Sequence, residues 1–199
     1  MKTVHIFDID STIADNTQRA LLLQKFCVIC LTSKPAGFGQ ECPSCGRSTH
    51  SHIDKAALER FFAPEAVLRD VPIHKAQQFV TKLRQRGSDI HFLTGRDESL
   101  RDVTTVWLSA HFGHVDTEKL VMRPLAEAHL VASEYKELAF LRFVKEQKYA
   151  LTDLFLFYED DPHVLSMYGR HGIVVKCPEA WGCIMPEAPM FEEVPFTVA

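Results

Sequence analysis

The run Val4-His5-Ile6-Phe7-Asp8-Ile9-Asp10-Ser11-Thr12-Ile13-Ala14-Asp15 constrains the chain more than any other stretch. A largely apolar segment leads into two aspartates two residues apart, with Ser and Thr directly behind them. Residues at that spacing on an extended chain point the same way. Asp8 and Asp10 are therefore expected side by side where a buried strand opens into a loop. Carboxylates that close both stay ionised only with a shared cation; otherwise one keeps its proton. The first solution calls for a hard, oxygen-preferring ion such as Mg²⁺. The second supplies a nucleophilic carboxylate beside a general acid. A strand that merely ends in acidic turn residues has the same pattern, so the decision rests with the remainder of the chain.

With 199 residues the chain can bury a core and fits one domain carrying an insert. A net charge of −4 gives no basic footprint for wrapping nucleic acid, which leaves polymer ends and small phosphates open. No apolar run is long enough to span a bilayer and the N-terminal residues do not resemble a signal peptide, so no membrane partner and a cytoplasmic location are expected.

The cysteines mark the insert. Cys27-Val28-Ile29-Cys30 and Cys42-Pro43-Ser44-Cys45 are two knuckles separated by eleven residues. Each offers two thiolates to one side of a tetrahedral Zn²⁺, and four sulfurs close the coordination sphere. The expected site is structural; two disulfides or a redox dithiol are the alternatives. His50 and His52 follow as surface or substrate-facing residues rather than ligands. Lys34, Arg47 and the two histidines add modest basic character with only Phe38 as a stacking platform, so a lid over the site is preferred to a nucleic-acid module.

Beyond Asp15 a short helix is expected over 19–26 and another over 52–62. Asp70-Val71-Pro72 opens a longer one, with Gly87 just past its end and Ile73, Ala76, Phe79, Val80 and Leu83 as its core stripe. Residues 89–93 read as a strand stopped by Thr94-Gly95-Arg96. A helix over 98–110 follows, burying Val103, Val106, Trp107 and Ala110. Leu120-Val121-Met122 is a short strand, and 133–148 a helix carrying Lys136. The almost wholly apolar Leu154-Phe155-Leu156-Phe157-Tyr158 reads as a strand buried on both faces, ending at Glu159-Asp160-Asp161-Pro162. A helix over 164–168, capped by Asp161, and a strand over 172–176 complete the pattern, and the tail from Pro178 reads as irregular. His5, His91 and His163 read as packing or surface residues.

Alternation of strands and helices predicts an α/β fold with a parallel sheet, whose ligands bind beyond the carboxyl ends of the strands. Asp8, Asp10, Thr94, Glu159 and Asp160 all fall there, with Lys136 on a nearby helix. Three strand termini and one helix of complementary chemistry point to a site.

In these residues the chain resembles the haloacid-dehalogenase (HAD) superfamily of phosphatases. Asp8-x-Asp10-x-Thr12 matches its first motif, Thr94 the second, Lys136 the third, and Glu159-Asp160 or Asp160-Asp161 the fourth. Gly95-Arg96, the tryptophan-bearing Thr105-Val106-Trp107-Leu108 and Leu120-Val121-Met122-Arg123 further resemble the 3′-phosphatases of phage polynucleotide kinase and related phage nucleotide phosphatases. Three departures stand out: no kinase-type phosphate loop, a fourth motif beginning with Glu, and the cysteine-bearing insert where the superfamily places a cap. The resemblance implies a Rossmann-like core at 1–15 and 64–199, with a cap at 16–63. It also implies Asp8 as nucleophile and Asp10 as acid and base, with a pKa raised by Asp8. Mg²⁺ would be held by Asp8, the Asp10 carbonyl and Asp160, with Glu159 in support. Thr94 and Lys136 would contact the phosphoryl group, and Thr12, Gly95, Arg96 and Arg123 would bind substrate, although Arg96 and Arg123 are equally consistent with ordinary surface ion pairs. The implied function is hydrolysis of phosphomonoesters, on nucleotides or polynucleotide 3′-phosphate ends. A sugar-phosphate phosphatase and a zinc-stabilised binding protein with a vestigial hydrolase core are the alternatives.

Overall fold

The computed structural model describes residues 2–20, 55–150 and 152–183. In chain order these form β1 (Thr3–Phe7), β2 (Ala14–Asp15), α1 (Thr17–Ala20), α2 (Lys55–Phe61), α3 (Pro64–Val67), β3 (Val71–Pro72), α4 (His74–Gln85), β4 (Asp89–Asp97), α5 (Arg101–Phe112), β5 (Leu120–Arg123), α6 (Ala132–Glu146), β6 (Leu154–Glu159), α7 (Pro162–Tyr168), β7 (Ile173–Lys176) and α8 (Glu179–Cys183). The cysteine knuckles, with His50 and His52, lie outside the described residues.

Five strands form one parallel sheet in the order β5-β4-β1-β6-β7. β1 is central, with Val4 to Phe7 buried on both faces, and it pairs with β4 from Val4↔Asp89 to Phe7↔Phe92 and with β6 from Thr3↔Leu154 to Phe7↔Tyr158. From β1 the chain builds outward through β4 and β5, then crosses back to β6 and β7. The order therefore reverses between β1 and β6, the crevice where open α/β sheets bind ligands.

Alternation along the strands divides the core. Val4 and Ile6 of β1, with Phe155 and Phe157 of β6, pack against Tyr135, Phe140 and Phe143 of α6 and Val164, Met167 and Tyr168 of α7. Phe7, Leu156 and Tyr158 face the other way, toward Phe79 of α4, Trp107 of α5 and Trp181 of α8. By the same two-residue period, Asp8 continues the Val4–Ile6 row and Glu159 the Phe155–Phe157 row. Both acids are thus sent toward α6.

The structure departs from expectation in four places. Val71–Pro72 does not open a helix; it pairs with Ala14–Asp15, since the residue before proline is pushed toward extended backbone. β4 runs on through Thr94, Gly95 and Arg96 to Asp97, with its pairing to β5 shifting register between Leu93 and Asp97. α5 buries Thr104, Trp107, Leu108 and Phe112, while Val106 is 59% exposed and Ala110 is exposed. The polar Thr104 turns inward because it accepts a hydrogen bond from the Arg96 guanidinium at 3.4 Å. Finally, Glu179–Cys183 is helical, with Trp181 stacked near Phe7 and Tyr158.

Gly172 sets how closely β7 approaches β6. A Cβ there would stand 2.4 Å from the Phe155 carbonyl oxygen and 2.9 Å from Phe157 Cε2. Gly172→Ala is expected to destabilise the fold by about 2 kcal/mol or more through overpacking against backbone. A urea melt with an unchanged midpoint would contradict this packing.

Candidate active site

Asp8 leaves β1 with its amide donating to the Tyr158 carbonyl at 2.9 Å, so the sheet ladder carries the backbone to the rim. The chain then turns: the Ile13 and Ala14 amides both donate to the Ile9 carbonyl, and Ser11 takes a left-handed φ of 61°. The turn separates the two aspartates, which find different partners.

Asp8 is buried and meets Lys136 Nζ at 2.8 Å, and the same ammonium lies 2.5 Å from Glu159 Oε2. The other Glu159 oxygen accepts the amides of Asp160 and Asp161, each at 3.1 Å. Thr12 donates to Asp160 Oδ1 at 3.1 Å, and Trp181 Nε1 donates to the Thr12 carbonyl at 2.7 Å. Carboxylate oxygens of Asp8, Glu159 and Asp160 all lie within 4.8 Å of one another. Burial pushes the Asp8 carboxyl up to about 7 against the opposing pull of Lys136. Burial also raises Glu159 and Asp160, while Asp8 and Glu159 hold Lys136 firmly protonated despite its own burial. Fully ionised, this group carries three negative charges against one positive. The deficit and the all-oxygen donor set both fit a divalent hard cation.

Asp10 belongs to a second, balanced group. Arg96 grips it twice, Nε to Oδ2 at 3.0 Å and Nη2 to Oδ1 at 2.8 Å, and Arg19 also pairs with Oδ1. Both guanidiniums reach Asp70: Arg19 Nε at 3.0 Å and Nη2 at 2.9 Å, and Arg96 Nη2 at 2.8 Å. Trp107 Nε1 fixes the Asp70 carbonyl at 2.8 Å, and Arg19 lies 4.2 Å over the Phe61 ring. Burial opposes ionisation of Asp10, but Arg96 and Arg19 prevail and hold its pKa below the ordinary value. The expectation that Asp8 would raise it is reversed. The Asp10 side chain remains 26% exposed, against 6% for Asp8, so solvent reaches it more readily.

Thr94 is buried in β4, two residues past the Phe92 that pairs with Phe7, and its hydroxyl accepts the Arg96 amide at 3.2 Å. Gly95 faces Arg123, whose Nη2 would lie 3.3 Å from an added Cβ. The Arg96 side chain, expected to bind substrate, is instead turned onto Asp10 and Asp70. Arg19 and Asp70 were not singled out from the sequence; they come together from positions 51 residues apart, and no local pattern marks that meeting. His5 is buried against Tyr158, and burial lowers its pKa to about 4.

Residues 65–155 match the family model described as HAD superfamily, subfamily IIIB (acid phosphatase). That span holds Thr94 and Lys136, while Asp8, Asp10 and Glu159 to Asp161 lie outside it. Among curated proteins none matches the chain in sequence. Of solved structures, the Pnkp1/Rnl/Hen1 complex shares the fold at a TM-score of 0.53 and 15% identity, over 88% of this chain and 46% of that one. The class C acid phosphatase from Bacillus anthracis, with tungstate bound, aligns at 0.50 and 13%, over 89% and 67%. SP0104 from Streptococcus pneumoniae, a haloacid dehalogenase-like hydrolase, aligns at 0.57 and 12%, over 88% and 84%. The chain thus spans less than half the length of the first of these. At such identities the likeness is one of fold. The family model covers 91 of the 199 residues, less than half of the chain. Among the described residues no helix is long and apolar enough to cross a membrane.

The Arg19–Asp10–Arg96–Asp70 group is held by buried opposite charges, and removing one leaves a partner uncompensated. Asp70→Asn is expected to cost about 3 kcal/mol of stability in urea unfolding. A loss under about 1 kcal/mol would show the group to be solvent-screened.

Proposed function

We propose that the chain is a Mg²⁺-dependent phosphomonoester hydrolase working through an aspartyl-phosphate on Asp8, with nucleotides or polynucleotide 3′-phosphate ends as substrates. The observation that carries this reading is the cluster of Asp8, Glu159 and Asp160 around Lys136 at the reversal point of the sheet. Asp8, Asp160 and the Asp10 carbonyl would hold the ion, with Glu159 in support. The ion supplies charge neutralisation for the phosphoryl oxygens.

An Asp8 oxygen attacks phosphorus, the bond to the leaving oxygen breaks, and that oxygen takes a proton from Asp10. Water then attacks the aspartyl-phosphate, Asp10 takes its proton, and the bond between phosphorus and Asp8 breaks. The proton that Asp10 gains from water replaces the one it gave to the leaving oxygen. Arg96 and Arg19 keep Asp10 ionised in the free site, which suits the base step. A bound phosphate dianion beside Asp10 raises its proton affinity and suits the acid step. Thr94 donates to a phosphoryl oxygen, and Lys136 holds Asp8 for attack. Gly95-Arg96 and the Trp107 helix support the nucleotide class through the resemblance to 3′-phosphatases.

Phosphate release from p-nitrophenyl phosphate is expected in wild type and lost at least a thousandfold in Asp8→Asn. Equal inertness of both toward every phosphoester tried would favour a binding protein. Mg²⁺ binding requires Asp8 to give up its proton. Apparent Mg²⁺ affinity should therefore fall as pH drops below about 7, approaching tenfold per unit, in titrations from pH 7.5 to 5.5. A flat profile would remove Asp8 from the metal site.

For the segment at 16–63, we propose a cap carrying one structural Zn²⁺ on Cys27, Cys30, Cys42 and Cys45. Metal analysis of the purified chain should return about one zinc, lost when Cys42 and Cys45 are replaced by serine. A normally folded chain without zinc would remove the assignment.

A further inference from the structure

Among the described residues at the carboxyl rim of the sheet, every cation but one is already engaged. Lys136 is held by Asp8 and Glu159, and Arg19 and Arg96 by Asp10 and Asp70. Arg101 pairs with Glu98 and donates to the Thr117 and Leu120 carbonyls. The side chain of Arg123, the last residue of β5, forms no hydrogen bond or ion pair among the described residues, and its Nε is buried without an acceptor. Aromatic stacking holds it instead, with its guanidinium 4.7 Å from the Tyr135 ring centroid. Tyr135 directly precedes Lys136 on α6, so the stack ties Arg123 to the catalytic lysine. On the other side Nη2 packs over Gly95, where a Cβ would stand at 3.3 Å. A buried N–H without an acceptor is costly, and a preorganised guanidinium is a fork shaped for phosphate.

Position decides which phosphate. β5 lies two strands from β1, roughly 10 Å at the usual spacing between strands. An arginine stacked on Tyr135 over β4 and β5 sits to one side of a phosphorus held at Asp8. Resting on the phosphatase reading above, we propose that Arg123 binds a second phosphate group carried on the leaving-group side of the substrate. The favoured substrates are then phosphomonoesters with a further phosphate or phosphodiester close by, as at a 3′-phosphorylated polynucleotide end.

The test compares kcat/KM within two pairs: a nucleoside 3′,5′-bisphosphate against the 3′-monophosphate, and glucose 1,6-bisphosphate against glucose 1-phosphate. Wild type should prefer the bisphosphate in at least one pair. In Arg123→Gln that preference should fall at least tenfold, mainly through KM, with partial recovery in Arg123→Lys. Gly95→Ala, which crowds the guanidinium while leaving Arg123 in place, should lower the same ratio. A fall in the nucleotide pair assigns the second phosphate to a nucleotide, and a fall in the sugar pair alone assigns it to a sugar bisphosphate. Unchanged ratios in both pairs overturn the proposal. Calorimetric binding of the same four ligands to Asp8→Asn protein, with and without the Arg123 change, reads the contact without turnover. Failure of all hydrolysis with a retained binding ratio would sink the phosphatase reading and leave Arg123 standing.

Discussion

The ammonium of Lys136, shared between Asp8 and Glu159, is the interaction on which the site depends. It joins three elements that are distant in the chain: the end of β1, the end of β6 and the first turns of α6. Burying either carboxylate alone would cost several kcal/mol or force it to keep a proton. A single buried cation between them lets both reach the rim while the strands behind remain apolar on both faces. The two-residue period of β1 and β6 sends both acids to the side that α6 covers. The placement of the charged residues and the packing of the core therefore have one cause.

Two aspartates two residues apart end in opposite electrostatic settings. Asp8 sits in a group short of positive charge, and Asp10 in one where two guanidiniums match two carboxylates. The first group is left needing a cation or a proton, and the second is balanced. One loop thus holds a carboxylate that is costly to ionise beside one that is easy to ionise, an order that the proposed mechanism has a cation at Asp8 and a phosphate beside Asp10 reverse. The separation comes with the turn closed between Ile9 and Ala14, in which the Asp10 side chain meets Arg96 rather than Lys136.

Much of the sheet was legible because buried parallel strands are written as apolar runs, and β1 and β6 are the plainest of them. The acids closing those runs were legible for the same reason. The face of α5 was misread because Val106 and Ala110 look like core residues, yet they face outward. Thr104 looks like surface, yet it lies buried beneath Arg96. Hydropathy cannot report a polar residue recruited by a buried charge. Val71–Pro72 was misread as a helix start because its pairing partner, Ala14–Asp15, lies more than fifty residues earlier. Arg19 and Asp70 escaped notice on similar grounds: each looks like an ordinary surface charge until the fold brings them together.

That meeting bears on how the segment between β1 and the core relates to the chemistry. Arg19 stands at its start, and Phe61, whose ring lies under the Arg19 guanidinium, stands at its end. Asp70 and the Trp107 contact to its carbonyl secure the far side of the same group. The flanks of the segment are thus tied to Asp10 through one arginine. Anything that shifts those flanks moves a positive charge relative to the carboxylate proposed to carry the proton. Because Asp10 owes its low pKa to Arg96 and Arg19 together, a displacement of Arg19 alone would raise its proton affinity while leaving Arg96 in place. The cap proposed for 16–63 would therefore act on Asp10 electrostatically through Arg19.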